Sequence, residues 1–430
     1  MERKIVNRLL EWKNSKGRMP LILYGARQVG KTYTTIDFGK RYYKNVVYVN
    51  MEDSGRYQEI FERDLKTDRI VRELSALTGQ SIFPGDTLII LDEIQACERA
   101  LTSLKYFCEN APEYHIIAAS SLLGVAVNRG KYSFPVGKVA LHTLYPMDFE
   151  EFLTAIGNAD LAAMIREHFN NDTPFPLHEM ALDLYRTYLV VGGMPRPVLE
   201  YIDSGDFDYV LASQKTINDS YIADMAKYAA PSDTIKIMAA FNSVPAQLAK
   251  ENRKFQYKVI KTGARAYDYE YPVEWLRASG VVNKCVKVTE GNMPLSVYAQ
   301  NDYFKLYMAD TGLLCSKFSL PAKTVLSLDE NLNAFKGALA ENYVCSALAV
   351  NGYTPYYWGS DGRVEVDFVV QKKDGCIIPI EVKSAVNVKA KSLAVFVNKY
   401  KPEYSIRVSG KNFGFENNIK SVPLYAAFCL

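Results

Sequence analysis

Two groups of residues in this 430-residue chain have the types and spacing for phosphate chemistry. The first is the run Gly25-Ala26-Arg27-Gln28-Val29-Gly30-Lys31-Thr32, with Tyr33 behind it and Asp92-Glu93 further along. Glycines at both ends of such a run let backbone N–H groups close around phosphate oxygens. Lys31 would reach the β- and γ-phosphates of a nucleoside triphosphate, and Thr32 would hold Mg2+. Asp92 can bind the same ion through water, while Glu93 can polarise an attacking water; adjacent acids leaving a strand can also be a plain solvated exit. The second group is Glu341, Asp367, Glu381 and Lys383. Two or three converging carboxylates make a hard-oxygen site for a divalent cation, and a lysine beside them can orient or activate water against a phosphodiester.

These residues need elements that bring them together. PLILY (20–24) is an apolar strand and helical periodicity begins at Lys31, so the glycine-rich run lies between strand and helix, as a P-loop requires. DTLIILDEIQ (86–95) is an apolar strand that ends in Asp92-Glu93. NVVYVNMED (45–53), HIIAASS (115–121) and KVALHTLYP (138–146) are three more strands separated by helical stretches, and this alternation predicts a parallel sheet. Ser120 and Ser121 end the HIIAASS strand, where a small hydroxyl can sense a γ-phosphate. Lys138 is either a cation near phosphate or a surface lysine.

The second group is placed by VEVDFVVQKKDGCIIPIEVKS (364–384), which reads as two strands joined by a Lys-Asp-Gly turn. Side chains alternate along a strand, so Glu381 and Lys383 share one face while Ile380 and Val382 take the other. Upstream, FKGALAENYVCSALAVNG (335–352) reads as a helix closed by Asn351-Gly352, with Glu341 in a stripe of Ala338, Cys345 and Leu348. The same pattern also fits a salt-bridge network between Lys383 and the acids, with no cleavage.

Composition restricts the class. Apolar residues at 48% and charged residues at 23% are globular averages, so no part is disordered by composition. Seven scattered cysteines without a C-x-x-C predict reduced thiols in a cytoplasm, and four separated histidines argue against zinc. No apolar run is long enough for a membrane span. A net charge of +3 neither demands nor excludes nucleic acid. Two local stretches would suit a polyanion. KENRKFQYKVIKTGARAY (250–267) carries Arg253, Lys254, Phe255, Tyr257, Lys258, Lys261 and Arg265, and residues 371–420 hold ten Lys/Arg against four Asp/Glu. Solvated faces would read the same way.

GARQVGKT, LIILDE, IIAASS and LYPMDFEEF (144–152) together resemble the AAA-type ATPases of the archaeal-ATPase and STAND-like group. GGMPRPVLEY, NRKFQYKVIKTGARA and FKLYMADTGLL (304–314) resemble the middle region of the same group. Gly137-Lys138 stands where many members carry Gly-Arg. Glu341, Asp367 and Glu381-Val382-Lys383 resemble the PD-(D/E)xK nuclease fold, with Val366 in place of its proline. The resemblance implies an α/β fold class. It gives a P-loop AAA-type parallel sheet at 1–155, after which the Pro- and Asn-rich NNDTPFPL (170–177) reads as a linker. Helical stretches make a helical lid at 156–230. Further helices followed by NKCVKVTEG (283–291) and LSVYAQ (295–300), read as the two strands of a small hairpin, outline a winged-helix region at 231–325. A restriction-endonuclease-like α/β domain follows at 326–430. It implies ATP and Mg2+ as cofactors, with Gly25 to Tyr33, Asp92 and Ser120 around the nucleotide and Glu93 as catalytic. Metal ligands would be Thr32 and Asp92 at one site, and Glu341, Asp367 and Glu381 at the other, where Asp367, Glu381 and Lys383 are catalytic. Expected partners are nucleic acid, DNA first, and a second copy of the chain, with no membrane. The alternative is a nucleotide-dependent switch or sensor whose C-terminal half binds DNA or a protein without cutting.

Overall fold

Continuous apolar runs rich in β-branched residues form strands covered on both faces, and the first third of the chain supplies five of them. The computed structural model of the chain describes residues 1–53, 55–121, 134–250, 253–326, 333–360, 364–384 and 391–430. The five runs become β1 (Leu21–Tyr24), β2 (Asn45–Asn50), β3 (Thr87–Asp92), β4 (His115–Ser120) and β5 (Ala140–Thr143). They form one sheet in the order β2-β3-β4-β1-β5, every neighbouring pair parallel, as the alternation predicts. Every residue of β3 and β4 is buried, and Val47, Ile89, Leu91 and Ile116 share a core with Phe61 and Phe107 from the flanking helices. Parallel strands put all their carboxyl ends on one edge, the edge where such sheets bind ligands. The glycine-rich run, Asp92-Glu93 and Ser120-Ser121 all leave the sheet there.

The chain divides into two compact units, Met1–Tyr145 and Pro146–Leu430. This division falls ahead of the expected boundary at 155/156. The reason is local: Asp148 and Glu151 form a capping box on the helix Phe149–Ala155, and that helix packs its aromatic face within the second unit. Phe149 and Phe152 lie 5.5 and 5.3 Å from the Tyr188 ring. The Asn- and Pro-rich stretch 170–177, expected to link domains, is a connection between the helices Ala159–Asn171 and His178–Val191 inside this unit.

The second unit begins with helices, among them Pro195–Ser204, Phe207–Tyr228, Pro231–Leu248 and Ala266–Ala278. Its strands are β6 (Val282–Val288), β7 (Ala299–Met308), β8 (Tyr356–Ser360), β9 (Val364–Gln371), β10 (Ile377–Val382), β11 (Ser405–Ser409), β12 (Gly414–Glu416) and β13 (Ile419–Pro423). They form one mixed sheet in the order β12-β13-β11-β10-β9-β8-β6-β7. The expected winged-helix hairpin is β6 and β7, and it does not stand as the wing of a separate region. β6 pairs in parallel with β8, so the hairpin is the edge of the C-terminal sheet and the expected division at 325/326 cuts through one sheet. LSVYAQ was expected to be its second strand; Leu295–Tyr298 is instead a 3-10 turn, and β7 starts at Ala299.

Asp310 ties two of the quoted middle stretches together. Buried at 2% exposure, it accepts from Gly193 N at 2.6 Å and from Leu313 N at 2.8 Å, and so joins the Gly-Gly turn to the helix Thr311–Phe318. A side chain at Gly193 would be driven into the Met147 carbonyl, which is why the turn carries glycine. Burial pushes the Asp310 carboxyl up to about 6, against the pull of those N–H donors.

Candidate functional site

Gly25 begins the loop after β1 because no other residue fits: a Cβ there would be driven into the carbonyl oxygen of Leu144. Gln28 and Gly30 take left-handed backbone, φ 65° and 93°, and this curls the loop back before the helix Lys31–Tyr42. Ala26 and Val29 are buried, Arg27 is half-buried, and Gln28 and Tyr33 are exposed. Lys31 Nζ donates to Gly25 O at 3.0 Å and Ala26 O at 2.9 Å, so its ammonium lies over the loop. Gly25→Ala should destabilise the fold by about 1–3 kcal/mol through overpacking and weaken nucleotide binding as well. Thermal unfolding and an ADP titration on one preparation measure both.

Thr32 Oγ1 donates to Asp92 Oδ2 at 2.7 Å, although the two lie far apart in sequence. Tyr48 OH donates to the same oxygen at 2.9 Å, and burial together with the Asp92 charge pushes the phenol up, so it remains a donor. A hydroxyl and a carboxylate in contact at the start of the glycine-loop helix are the hard oxygen donors that Mg2+ takes. Glu93 lies just past β3 in left-handed backbone, φ 48°, and its Oε2 accepts from Gln95 Nε2 at 2.5 Å and from Ser121 Oγ at 3.3 Å. Gln95 Oε1 in turn accepts from Ser120 Oγ at 2.8 Å. A hydrogen-bonded chain thus runs from the end of β4 through Gln95 to Glu93. Sequence reasoning missed Gln95 and Tyr48; Gln95 lies two residues after the acid pair, but no spacing rule singles it out. Lys138 pairs with Glu109 at 3.0 Å, the behaviour of a surface lysine.

In the second unit β9 and β10 form the expected hairpin, with Ile380 opposite Phe368. Continuing that register sets Asp367 across from Glu381 on one face. Asp367 is buried, its Oδ2 accepting from Val382 N at 2.8 Å. Lys383 Nζ lies 2.7 Å from Glu381 Oε1, while the buried Glu381 Oε2 has no hydrogen-bond partner among the described residues. Burial, then the charge of Asp367, pushes the Glu381 carboxyl up to about 7, against the opposing pull of Lys383 and Arg407. Burial lowers Lys383, but Asp367 and Glu381 outweigh it and the ammonium ends above its ordinary range. Two carboxylates that repel each other in a buried place, one with an unpartnered oxygen, fit a divalent cation.

Glu341 does not join them. It is buried on the helix Asn333–Val350, where it pairs with Arg253, accepts from Tyr307 OH at 3.0 Å and lies 3.8 Å from Lys305 Nζ. Lys305 is also 2.7 Å from Glu365, and Lys254 is 3.2 Å from it. Among the described residues, no three His, Cys, Asp or Glu side chains are grouped to hold a metal. The expected trio of Glu341, Asp367 and Glu381 is thus a pair plus a glutamate neutralised by cations.

The basic stretches divide in the same way. Arg253 and Lys254 turn inward to those acids, and Phe255 is buried, its ring 5.1 Å from Phe304. Lys258, Lys261 and Arg265 are exposed, beside Tyr267 at 91% exposure. Within 371–420, Lys372 pairs with Asp374 of the same stretch, while Lys399 pairs with Glu290 and Lys420 with Asp172, so part of the local charge is neutralised by acids elsewhere. Residues 251–252 and 385–390 of these stretches lie outside the described residues. No described helix is long and apolar enough to cross a membrane.

Residues 17–153 match the family described as AAA domain. Two domains of unknown function match further on, DUF8612 at 182–324 and DUF4143 at 336–427. Among curated proteins, none matches the chain. Similar solved structures include a Walker-type ATPase of Pyrococcus abyssi, 15% identical, covering 74% of this chain and 95% of its own, with a TM-score of 0.46. The Aeropyrum pernix ORC2 protein in its ADPNP–ADP complexes is 15% identical, with 75% of this chain and 89% of its own covered and a TM-score of 0.36. The Aeropyrum pernix ORC1 protein in complex with DNA is 15% identical, with 75% and 91% covered and a TM-score of 0.30. The parallel five-stranded sheet and the match at 17–153 together define the N-terminal part as an AAA-type P-loop ATPase domain.

Proposed function

We propose that this protein binds and hydrolyses ATP in its N-terminal unit, and that the nucleotide cycle controls a nucleic-acid-acting, nuclease-like second unit. The contact between Thr32 and Asp92 at 2.7 Å carries the first half, because it joins the loop helix to the end of β3 in the arrangement a Mg2+–nucleotide complex needs. When bound, Mg2+ supplies electrostatic stabilisation of the charge that develops on the phosphoryl oxygens. The chain's own groups do the rest. Loop N–H groups and Lys31 hold the phosphates, Glu93 orients and polarises the attacking water, and Ser120 responds to the γ-phosphate through Gln95.

In the second unit, Asp367 and Glu381 would hold a divalent cation and Lys383 would orient water toward a phosphodiester. The unpartnered Glu381 oxygen supports this assignment. A second reading, a switch that binds DNA or a protein without cutting it, is favoured by the pairing of Glu341 with Arg253, which leaves only two acids at the centre. Exposed Lys258, Lys261 and Arg265 suit either reading.

The test is to incubate the purified chain with ATP and Mg2+ or Mn2+, following phosphate release and the integrity of single- and double-stranded DNA and RNA. ATP hydrolysis with cleavage supports the proposal. Hydrolysis with intact nucleic acid in every condition supports the switch. If nucleic acid is bound, affinity should fall steeply with salt. Charge reversal at Lys258, Lys261 and Arg265 should then flatten the slope by up to roughly one unit for each phosphate no longer neutralised. No binding at low salt, with or without ATP, removes nucleic acid as the partner.

A further inference from the structure

The glycine-rich loop is fastened by a residue that precedes the first helix. Arg3 is 8% exposed; its Nη1 donates to Val29 O at 2.9 Å and its Nη2 to Tyr145 O at 2.6 Å. Tyr145 follows Leu144, whose backbone N–H donates to Tyr24 O at 2.8 Å and whose carbonyl closes on Gly25. The segment behind β5 therefore backs the start of the loop, and Arg3 fixes the far part of the loop to the same segment. A guanidinium is suited to this because its rigid fork presents several N–H groups at once, enough to reach two separate carbonyls.

The consequence is stereochemical. Among the described residues the only cis peptide is Met293–Pro294, so the Val29–Gly30 peptide is trans. In a trans peptide the carbonyl and the following N–H point in opposite directions. With Val29 O turned onto Arg3, Gly30 N–H must point away from it. Gly30 is the residue before the helix Lys31–Tyr42, and its own carbonyl already accepts from Thr34 N at 2.9 Å. Its N–H thus belongs to the donors at that helix start, which anions bind. If this peptide turned over, the Val29 carbonyl would face the phosphates and repel them.

We infer that Arg3 is a positioning residue for the nucleotide: it locks the Val29–Gly30 peptide with its N–H toward the phosphates. This rests on the nucleotide reading of the loop. What weakens without Arg3 is the bond from Gly30 N–H to phosphate, so the effect should follow the polyphosphate and not the nucleoside.

Calorimetry on the full chain with ADP and with tripolyphosphate, alongside steady-state ATP hydrolysis, tests this. Arg3→Met is expected to weaken ADP and tripolyphosphate by the same factor, about tenfold or more, the size expected when a charge-assisted hydrogen bond is removed. KM for ATP should rise in parallel, with kcat at saturation changing by less than about threefold, the signature of weakened uniform binding. Arg3→Lys keeps the charge and most of the length, and an ammonium reaches one carbonyl more easily than two. It should fold as the wild type does and lose several-fold in affinity for both ligands. Wild-type affinity in Arg3→Lys overturns the two-carbonyl clamp. Arg3→Met that binds ADP as tightly as wild type, or that loses ADP while keeping tripolyphosphate, overturns the inference itself. Should Arg3→Met fail to fold, the Arg3→Lys comparison decides alone. If the wild-type chain binds neither ligand, the nucleotide reading is what fails.

Discussion

Lys31→Ala is expected to bring ATP binding down by a hundredfold or more and ATP hydrolysis to background, the largest single loss the N-terminal unit can show. The ammonium lies over the loop on the Gly25 and Ala26 carbonyls, at 3.0 and 2.9 Å, and no other described cation is held in that position. Charge-assisted bonds to phosphate contribute about 1.5–3 kcal/mol each, and one lysine makes more than one of them. Glu93→Gln should behave differently. The amide keeps the size of the side chain and can still bond to Gln95 and Ser121, so ATP stays bound. It cannot polarise water as a carboxylate does, and kcat should fall by about 10²–10⁴-fold. Nucleotide titration and phosphate release on both variants separate the two roles. A Glu93→Gln protein that turns over ATP at the wild-type rate would show that the second acid of the pair is not the water-polarising group.

The loop and strand ends of the candidate nucleotide site were largely legible in the sequence because their signals are local. Gly25 to Thr32 form one loop, and the strands that carry Asp92 and Ser120 are buried on both faces, so each reads as an unbroken apolar run. Gln95 and Arg3 were not legible. Each acts through contacts with distant chain, Gln95 with Ser120 and Arg3 with Val29 and Tyr145, and neither stands out by type or spacing. The β9–β10 hairpin was legible for the same local reason, through alternation around a Lys-Asp-Gly turn. The neighbours of its acids were not. A helical stripe placed Glu341 on a buried face, but only the fold shows that Arg253 and Lys305 reach that face first. The β6–β7 hairpin was likewise assigned to a separate region because sequence order hides the parallel pairing of β6 with β8.

Asp367→Ala and Glu381→Ala are each expected to abolish metal-dependent phosphodiester cleavage while leaving ATP hydrolysis intact. Cation binding needs both carboxylates, whereas an ion pair with Lys383 needs one. Asp367 also accepts from Val382 N at 2.8 Å, so Asp367→Asn is the cleaner variant: its amide oxygen can keep that bond while the charge is gone. Lys383→Ala should still bind metal and lose most cleavage. The pH dependence supplies a readout independent of activity. Glu381 sits near 7, above its ordinary range, so its proton stabilises the fold. That contribution is complete below about 4.5 and is lost as pH rises through about 7, where a second negative charge must be buried beside Asp367. A divalent cation competes with that proton. Mn2+ affinity should therefore climb as pH rises toward about 7 and level off above it, with proton release on binding strongest below the turning point. Glu381→Gln should remove both the climb and the loss of metal-free stability over the same range. Mn2+ calorimetry and thermal unfolding from pH 5 to 8, with and without the substitution, measure these directly. No Mn2+ binding at pH 8 by a wild-type chain that hydrolyses ATP would leave Asp367, Glu381 and Lys383 as a buried ion network.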